Sequence, residues 1–312
     1  MNIIVTGGAG FIGSHIVDEV IEKGHRCYII DNLCRGKREN INNNAIFFEK
    51  DIRDKDIDKI FEEANPDIVF HLAAQIDVRR SLEDPFYDLD VNVNGTLNLL
   101  NLSLKYKVKK FIFASTGGAI YGSRLNASER VLPRPLSPYG LNKFTSENYI
   151  RIYKEWFGLK YTILRYANVY GPRQSPEGEA GVVAIFITKL LRGERPVIYG
   201  KGKMLRDYVY VKDLVKATIL SMEKGDNEVI NIGTGKSISV NELYEKLIKV
   251  TGLYKEPIYK PKRKGEVNLS GLNVRKAFDI LKWKAETTLE EGLRETFEWF
   301  KNQKEKFGNI IP

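Results

Sequence analysis

The sequence predicts an α/β protein, a doubly wound parallel sheet with a smaller C-terminal lobe. Three observations carry this. Short apolar runs alternate with amphipathic segments through the first half, the mark of strand–helix–strand units and a parallel sheet. Four glycines, Gly7, Gly8, Gly10 and Gly13, follow the first strand directly and open the first helix. After Ala167 the alternation gives way to a Gly/Pro-rich stretch, 171–181, and to short irregular elements.

Taken in order, the apolar runs predict strands over 2–6, 26–31, 45–49, 67–71, 109–115 and 160–165. Between them, helical periodicity predicts helices over 11–23, 54–64, 85–106 and 138–157. Such a sheet holds its ligand across the carboxyl ends of its strands. The segment 207–232 again reads strand, helix, strand. The first domain is therefore expected to span 1–170 and to be rejoined by about 207–232, with 171–206 and 233–312 forming the smaller lobe. Loops that choose the substrate gather in such regions.

The 312 residues are enough to bury a substantial core without disulfides or metals. Cys27 and Cys34 are too few for a disulfide framework, and no Cys/His spacing suits a metal. A reducing, cytoplasmic location is expected, because no charged-then-apolar leader and no run of roughly 18 apolar residues is present. The glycosylation patterns at Asn126 and Asn268 are accordingly read as chance. The formal charge is +9, but basic residues alternate with acidic ones along the helices, as in 291–306. A nucleic-acid partner would call for a basic stripe interleaved with stacking aromatics. Neither nucleic acid nor a membrane is an expected partner.

The glycine cluster satisfies GxGxxG through Gly8, Gly10 and Gly13. Glycine is required there because the turn is tight, the backbone approaches a pyrophosphate, and the helix start offers bare N–H groups to that anion. With Gly7, Phe11 and Ile12 it forms the dinucleotide turn of a Rossmann-type sheet. Asp31, at the end of the second strand, stands where a carboxylate holds the adenosine ribose. It favours NAD over NADP, although Arg35, Lys37 and Arg38 lie close by. The string 233–237, Gly-Thr-Gly-Lys-Ser, is no phosphate loop, since Ile230 stands where that motif needs its first glycine.

Ser137 and Pro138 suit a helix start, as N-cap and first helical residue. Tyr139 and Lys143, four residues apart, share a face of that helix. The Lys ammonium, the helix N-terminus and a nearby nicotinamide cation would all favour a phenolate. To act as a base near neutrality, Tyr139 has to fall about three units from a pKa of about 10, or roughly 4 kcal/mol. The pair lies downstream of Ser115 and Thr116, beside the expected nicotinamide end of the cleft.

The glycine loop, Asp31-Asn32-Leu33, Asp51-Ile52, His71-Leu72-Ala73-Ala74 and Tyr139/Lys143 together resemble the extended short-chain dehydrogenase/reductase family, in its NAD-dependent epimerase/dehydratase branch. Segments 77–81, 164–173, 206–209 and 263–266 are similar to members that invert the fourth carbon of UDP-sugars. The resemblance implies NAD as cofactor. It places Asn32, Asp51 and Ile52 at its adenosine end, and Leu72, Ala73, Ala74, Gln75, Asn92, Ser115, Tyr166 and Val169 along it. It places Asn168, Gly117, Val183, Tyr199 and Ser270 around the sugar nucleotide. Arg206 and Arg263 would grip the diphosphate, where paired guanidinium donors suit the role, and Glu266 would meet the uridine ribose. His71 is read as structural.

By the same resemblance, Tyr139 takes the proton of the sugar 4-hydroxyl as the cofactor oxidises that carbon, and Lys143 holds the cofactor ribose. The 4-keto sugar turns over and is reduced on its other face, so UDP-glucose and UDP-galactose interconvert. One departure is evident: family members carry Ser or Thr at the position of Gly117, so Thr116 or a water has to reach the sugar oxygen instead. Dehydratases, and decarboxylases on the same scaffold, need acidic residues where Gly117-Gly118 stand. A non-catalytic NAD-binding sensor is the alternative from another class. Ser270 falls where some members place a bulky Tyr, which implies room for N-acetylated sugars. The helices over 85–106 and 138–157 match those that pair in family homodimers.

Overall fold

The computed structural model describes residues 1–177, 181–263 and 267–307, the side chains as far as 303. In chain order its strands are β1 (Asn2–Thr6), β2 (Arg26–Asp31), β3 (Ile46–Glu49), β4 (Ile68–His71), β5 (Lys110–Thr116), β6 (Arg124–Ala127), β7 (Tyr161–Tyr166), β8 (Asn168–Tyr170), β9 (Val197–Tyr199), β10 (Leu205–Tyr210), β11 (Glu228–Ile232), β12 (Ser237–Ser239), β13 (Ile258–Lys260) and β14 (Leu269–Leu272). The helices are α1 (Phe11–Glu22), α2 (Ile57–Ala64), α3 (Val78–Glu83), α4 (Pro85–Leu89), α5 (Gly95–Lys105), α6 (Gly117–Ile120), α7 (Pro138–Phe157), α8 (Val182–Leu191), α9 (Val211–Leu220), α10 (Val240–Thr251), α11 (Arg275–Leu281) and α12 (Leu289–Phe307).

Seven parallel strands form the main sheet in the order β11-β7-β5-β4-β1-β2-β3. Its inner strands are buried on both faces, which is why they read as unbroken apolar runs, while the edge strand β3 is only partly covered. Alternate side chains divide between two cores. Ile3, Val5, Ile29 and Phe70 pack with Val17 of α1 and Leu214 of α9. Ile4, Tyr28, Ile30 and Val69 pack on the other side with Phe61 of α2, Leu99 of α5 and Ile150 of α7.

The segment 207–232 divides between two sheets. Strand β11 lies beside β7 on the main sheet and α9 packs on α1, but β10 belongs to a second, mixed sheet ordered β12-β10-β14-β6, with β8 also paired to β10. Two other expectations are corrected. The helix expected over 85–106 carries a π-helical turn at Asp90–Asn94, where Asn92 turns inward to exchange hydrogen bonds with the backbone of Gln75. The helix expected from 54 starts at Ile57, because residues 51–54 form a turn in which Asp51 N–H donates to the Asp54 carboxylate. Among the described residues, no helix is long and apolar enough to cross a membrane.

Candidate active site

The dinucleotide turn is fixed by contacts that admit only glycine. Gly7 has φ +72°, and a Cβ there would lie 2.8 Å from Ala73 N. A Cβ on Gly13 would lie 2.1 Å from Gly7 O. Helix α1 starts at Gly10 with no side-chain cap and no acidic residue in its first turn, so its first N–H groups face the cavity above them with their positive potential intact. The buried Asp31 carboxylate accepts from Ala9 N–H (3.0 Å) and Leu33 N–H (2.9 Å). Burial pushes its pKa up, and those two donors pull it back. Beyond it, Asn32 donates to Asp51 (2.8 Å), and the Arg53 guanidinium holds the Asp51 carboxyl down at about 2.

One cavity of about 470 Å³ runs from this cradle past Asp51, Ile52, Leu72, Ala73, Ala74 and Gln75 to Ser115, Thr116, Tyr139 and Lys143. Tyr166, Asn168 and Val169 close that end. The residues assigned above to the cofactor therefore border one space, except Gly8, which faces Ile29 and Val17, and Asn92, which stands behind Gln75 and supports it.

Helix α7 starts as its sequence suggests. Ser137 Oγ accepts from Gly140 N–H (3.2 Å) and Pro138 occupies the first turn. Lys143 is buried, its ammonium 4.1 Å from the centre of the Phe113 ring. Burial lowers its pKa to about 7, while Glu147 and Asp88 act to raise it. Within the chain itself the shift at Tyr139 runs upward. Burial and the nearby Asp88 charge push it up to about 12, and only its hydrogen bond with Thr116 acts downward. The Tyr–Lys spacing alone therefore yields no phenolate. A further positive charge in the pocket has to supply the shift.

The residues assigned to the sugar nucleotide are not all brought together. Asn168 borders the cavity, and its Oδ1 is buried without a hydrogen-bond partner, an acceptor aimed where a ligand would meet it. Thr116 borders it as well, capping α6 through Ala119 N–H (3.2 Å) and bonding Tyr139. Gly117 does not face the sugar contact assigned to it. A Cβ there would lie 2.7 Å from Leu272 Cδ1 and Cδ2, so the position faces β14 and a Ser or Thr would require the Leu272 side chain to shift. Its neighbour Gly118 looks onto the open side instead. A Cβ there would lie 3.8 Å from Ser270 Oγ and 3.9 Å from both Asn168 Oδ1 and Thr116 Oγ1.

The Val183 side chain is packed into the apolar core, only 1% exposed, and is not available to a ligand. Tyr199 lies on the smaller lobe with the Arg263 guanidinium 3.7 Å over its ring. Arg206 donates to the carbonyls of Val267 (2.8 Å) and Leu205 (2.9 Å). Glu266 lies outside the described residues.

Three features were missed by sequence reasoning. Gly118 could have been found by asking which of two adjacent glycines faces the cleft, but only the fold answers that. Arg173 and Gln174 also border the cavity; Arg173 is anchored to Asp18 of α1 (2.7 Å). Behind Lys143, Arg165 and Glu147 form a bidentate ion pair at 2.6 and 2.9 Å, exposed by 1% and 0%. His71 bridges Thr6 and Thr96 (2.8 and 2.9 Å) and is held neutral by burial.

The model of the NAD dependent epimerase/dehydratase family matches residues 3–233. A protein of Methanocaldococcus jannaschii described as a putative UDP-glucose 4-epimerase is 49% identical, over 96% of this chain and 98% of its own. The crystal structure of UDP-glucose 4-epimerase with UDP-glucose from Thermotoga maritima is 54% identical, covers 97% of this chain and 99% of its own, and superposes with a TM-score of 0.96. The UDP-N-acetylglucosamine 4-epimerase of Methanobrevibacter ruminantium, in complex with UDP-N-acetylmuramic acid, is 40% identical with a TM-score of 0.91, over 97% and 98% of the two chains.

Proposed function

From the premise that this chain belongs to the NAD-dependent epimerase/dehydratase family, we propose that it is a UDP-hexose 4-epimerase that interconverts UDP-glucose and UDP-galactose. The observation that carries the reading is the convergence of Tyr139, Thr116 and the unpartnered Asn168 carbonyl at the Lys143 end of the cavity.

The residues present fit NAD. The uncapped start of α1 suits its pyrophosphate, Asp31 its adenosine ribose, Asp51 and Ile52 its adenine, and Lys143 its second ribose. When bound, NAD supplies a reversible acceptor for the hydrogen and electron pair of the sugar C4–H bond. Tyr139 receives the 4-hydroxyl proton and returns it after the sugar has turned. The Lys143 ammonium and the cationic nicotinamide both lower the cost of a phenolate at Tyr139. Thr116 holds the phenolic oxygen in place, and Asn168 Oδ1 accepts from a sugar hydroxyl. Arg206 and Arg263 keep the diphosphate fixed while the 4-keto sugar rotates about its bond to it, and Glu266 takes the uridine ribose. Residues 1–170, rejoined by α9 and β11, serve as the cofactor domain, with the rest as the substrate lobe.

A homodimer accompanies this reading. Leu141, Ile152 and Trp156 are exposed along one stripe of α7, and Phe86 and Leu89 are exposed on the neighbouring α4; a second copy would cover such faces.

Proton NMR of the purified protein with UDP-galactose, without added NAD, tests the function. An equilibrium mixture with UDP-glucose is expected. No conversion, even after NAD is supplied, would remove the proposed activity. Ser270 is small where some family members carry a bulky Tyr, and it lies 3.8 Å from where a Gly118 Cβ would stand. UDP-N-acetylglucosamine is accordingly accepted, and Ser270→Tyr lowers its kcat/KM relative to that of UDP-glucose by roughly tenfold or more. Equal losses on both sugars would show that Ser270 does not select.

A further inference from the structure

Asp88 lies in α4, is 0% exposed, and has no part in the chemistry described above. Its carboxylate is met by three side-chain amides. Gln75 Nε2 (2.7 Å) and Asn92 Nδ2 (3.1 Å) donate to Oδ1, and Asn142 Nδ2 (2.7 Å) donates to Oδ2. Two of these amides are oriented independently of Asp88. Gln75 Oε1 accepts from Asp77 N–H (2.7 Å) and Asn92 Oδ1 from Gln75 N–H (3.1 Å), so each turns its NH2 group toward Asp88. An ionised carboxylate, which only accepts, matches three donors. The three partners belong to different parts of the site. Gln75 lines the cavity, Asn92 sits in the π turn, and Asn142 lies between Tyr139 and Lys143 on α7.

We propose that Asp88 is a positioning residue for the reaction, tying the Tyr139–Lys143 helix to the cofactor loop and supplying a buried carboxylate charge near that pair which, among the described residues, has no salt-bridge partner. Several of the other charged groups on the elements packed around the pair are already paired or neutral. Glu147, on the same helix, is bound bidentately by Arg165 of β7. Asp90 of the π turn is paired with Arg53 (2.7 Å). His71 of β4 is neutral. On α3, Arg79 is half-buried while Arg80 and Glu83 are exposed. Helix α6 carries no charge. Asp88 acts to raise both Tyr139 and Lys143. It keeps Lys143 an ammonium against burial and, in the same field, opposes the phenolate. The two ends of the working pH range should therefore move together when it is neutralised.

The proposal rests on the epimerase reading for its kinetic arm only. The first readout is the titration of the Lys143 13Cε resonance in lysine-labelled protein, assigned by its loss in Lys143→Arg. The second is the pH profile of kcat for UDP-galactose. Asp88→Asn can keep its packing, because Oδ1 still accepts from Gln75 and Asn92 while the Asn142 amide can turn to accept from the new NH2. Both the Lys143 midpoint and both limbs of the profile are expected to fall by about one pH unit. The double variant Asp88→Asn/Asn142→Asp restores one carboxylate to the same contact and preserves every hydrogen bond, so the values should return toward wild type. A purely structural role predicts lower activity with unmoved midpoints in Asp88→Asn, and that result overturns the proposal. If the single variant fails to fold, the double variant decides alone: a Lys143 midpoint one unit or more below wild type overturns it. A wild-type protein inert toward UDP-galactose would sink the epimerase reading while leaving the Lys143 titration to judge Asp88.

Discussion

Replacing Tyr139 with Phe is expected to lower kcat by about 10²–10⁴-fold, the range for loss of a positioned proton-transfer group, while the protein keeps NAD. The hydroxyl bonds Thr116 deep in the cavity, and the rest of the side chain makes contacts that Phe retains. Turnover is followed by NMR of UDP-galactose, and retained cofactor by the absorbance released on denaturation. A loss of less than tenfold would take the proton transfer away from Tyr139. A complete loss of NAD would instead place the residue in cofactor binding. A signalling protein that only senses NAD would keep its response in this variant, since nothing in sensing requires the phenolic oxygen.

The second large effect falls on stability. In Arg165→Met, the Glu147 carboxylate loses its bidentate partner at 0% exposure, retaining only the Ser115 hydroxyl (2.6 Å). Leaving a buried charge unpaired costs about 3–5 kcal/mol. Tyr121, which receives a hydrogen bond from Arg165 (2.7 Å) and donates to Asn231 (2.8 Å), loses its anchor as well. Denaturant unfolding should show the loss, and Arg165→Met/Glu147→Met should recover much of it, because the double variant buries no unpaired charge. A single variant within 1 kcal/mol of wild type would mean that water reaches Glu147 and that the pair is not sealed.

The parts of the site that could be read from sequence are those whose requirement is local. Gly7 to Gly13 announce themselves because a turn that tight has no room for side chains, and Tyr139 with Lys143 because four residues make one turn of helix. The unread parts depend on what the fold brings beside them. Gly117 and Gly118 are identical in sequence, yet one faces Leu272 and the other Ser270 and Asn168, a difference set in part by β14 some 150 residues later. Strand β10 reads like any strand of the main sheet, but pairing with β12, β14 and β8 decides which sheet it joins. The upward push that the chain exerts on Tyr139 is hidden for the same reason. Charges along one helix are visible in sequence, whereas burial and Asp88 arrive from elsewhere. Asp88 itself looks like one more polar residue on an amphipathic helix until Gln75, Asn92 and Asn142 surround it.

Strand β11 has a consequence for how the chain is made. The edge of β7 that it covers is complete at Tyr166, but the covering segment, Glu228–Ile232, emerges only about sixty residues later. During synthesis that edge stands open, its N–H and C=O groups available to any other strand. The smaller sheet's β8 and β10 form within the intervening stretch, so the growing lobe is itself the tether that returns β11. Because closure entropy rises only logarithmically with tether length, by roughly 0.6 kcal/mol per doubling, the main sheet is nearly indifferent to how long that lobe becomes. Evolution can lengthen or trim the substrate-facing stretch while leaving the cofactor sheet's final strand to find its place.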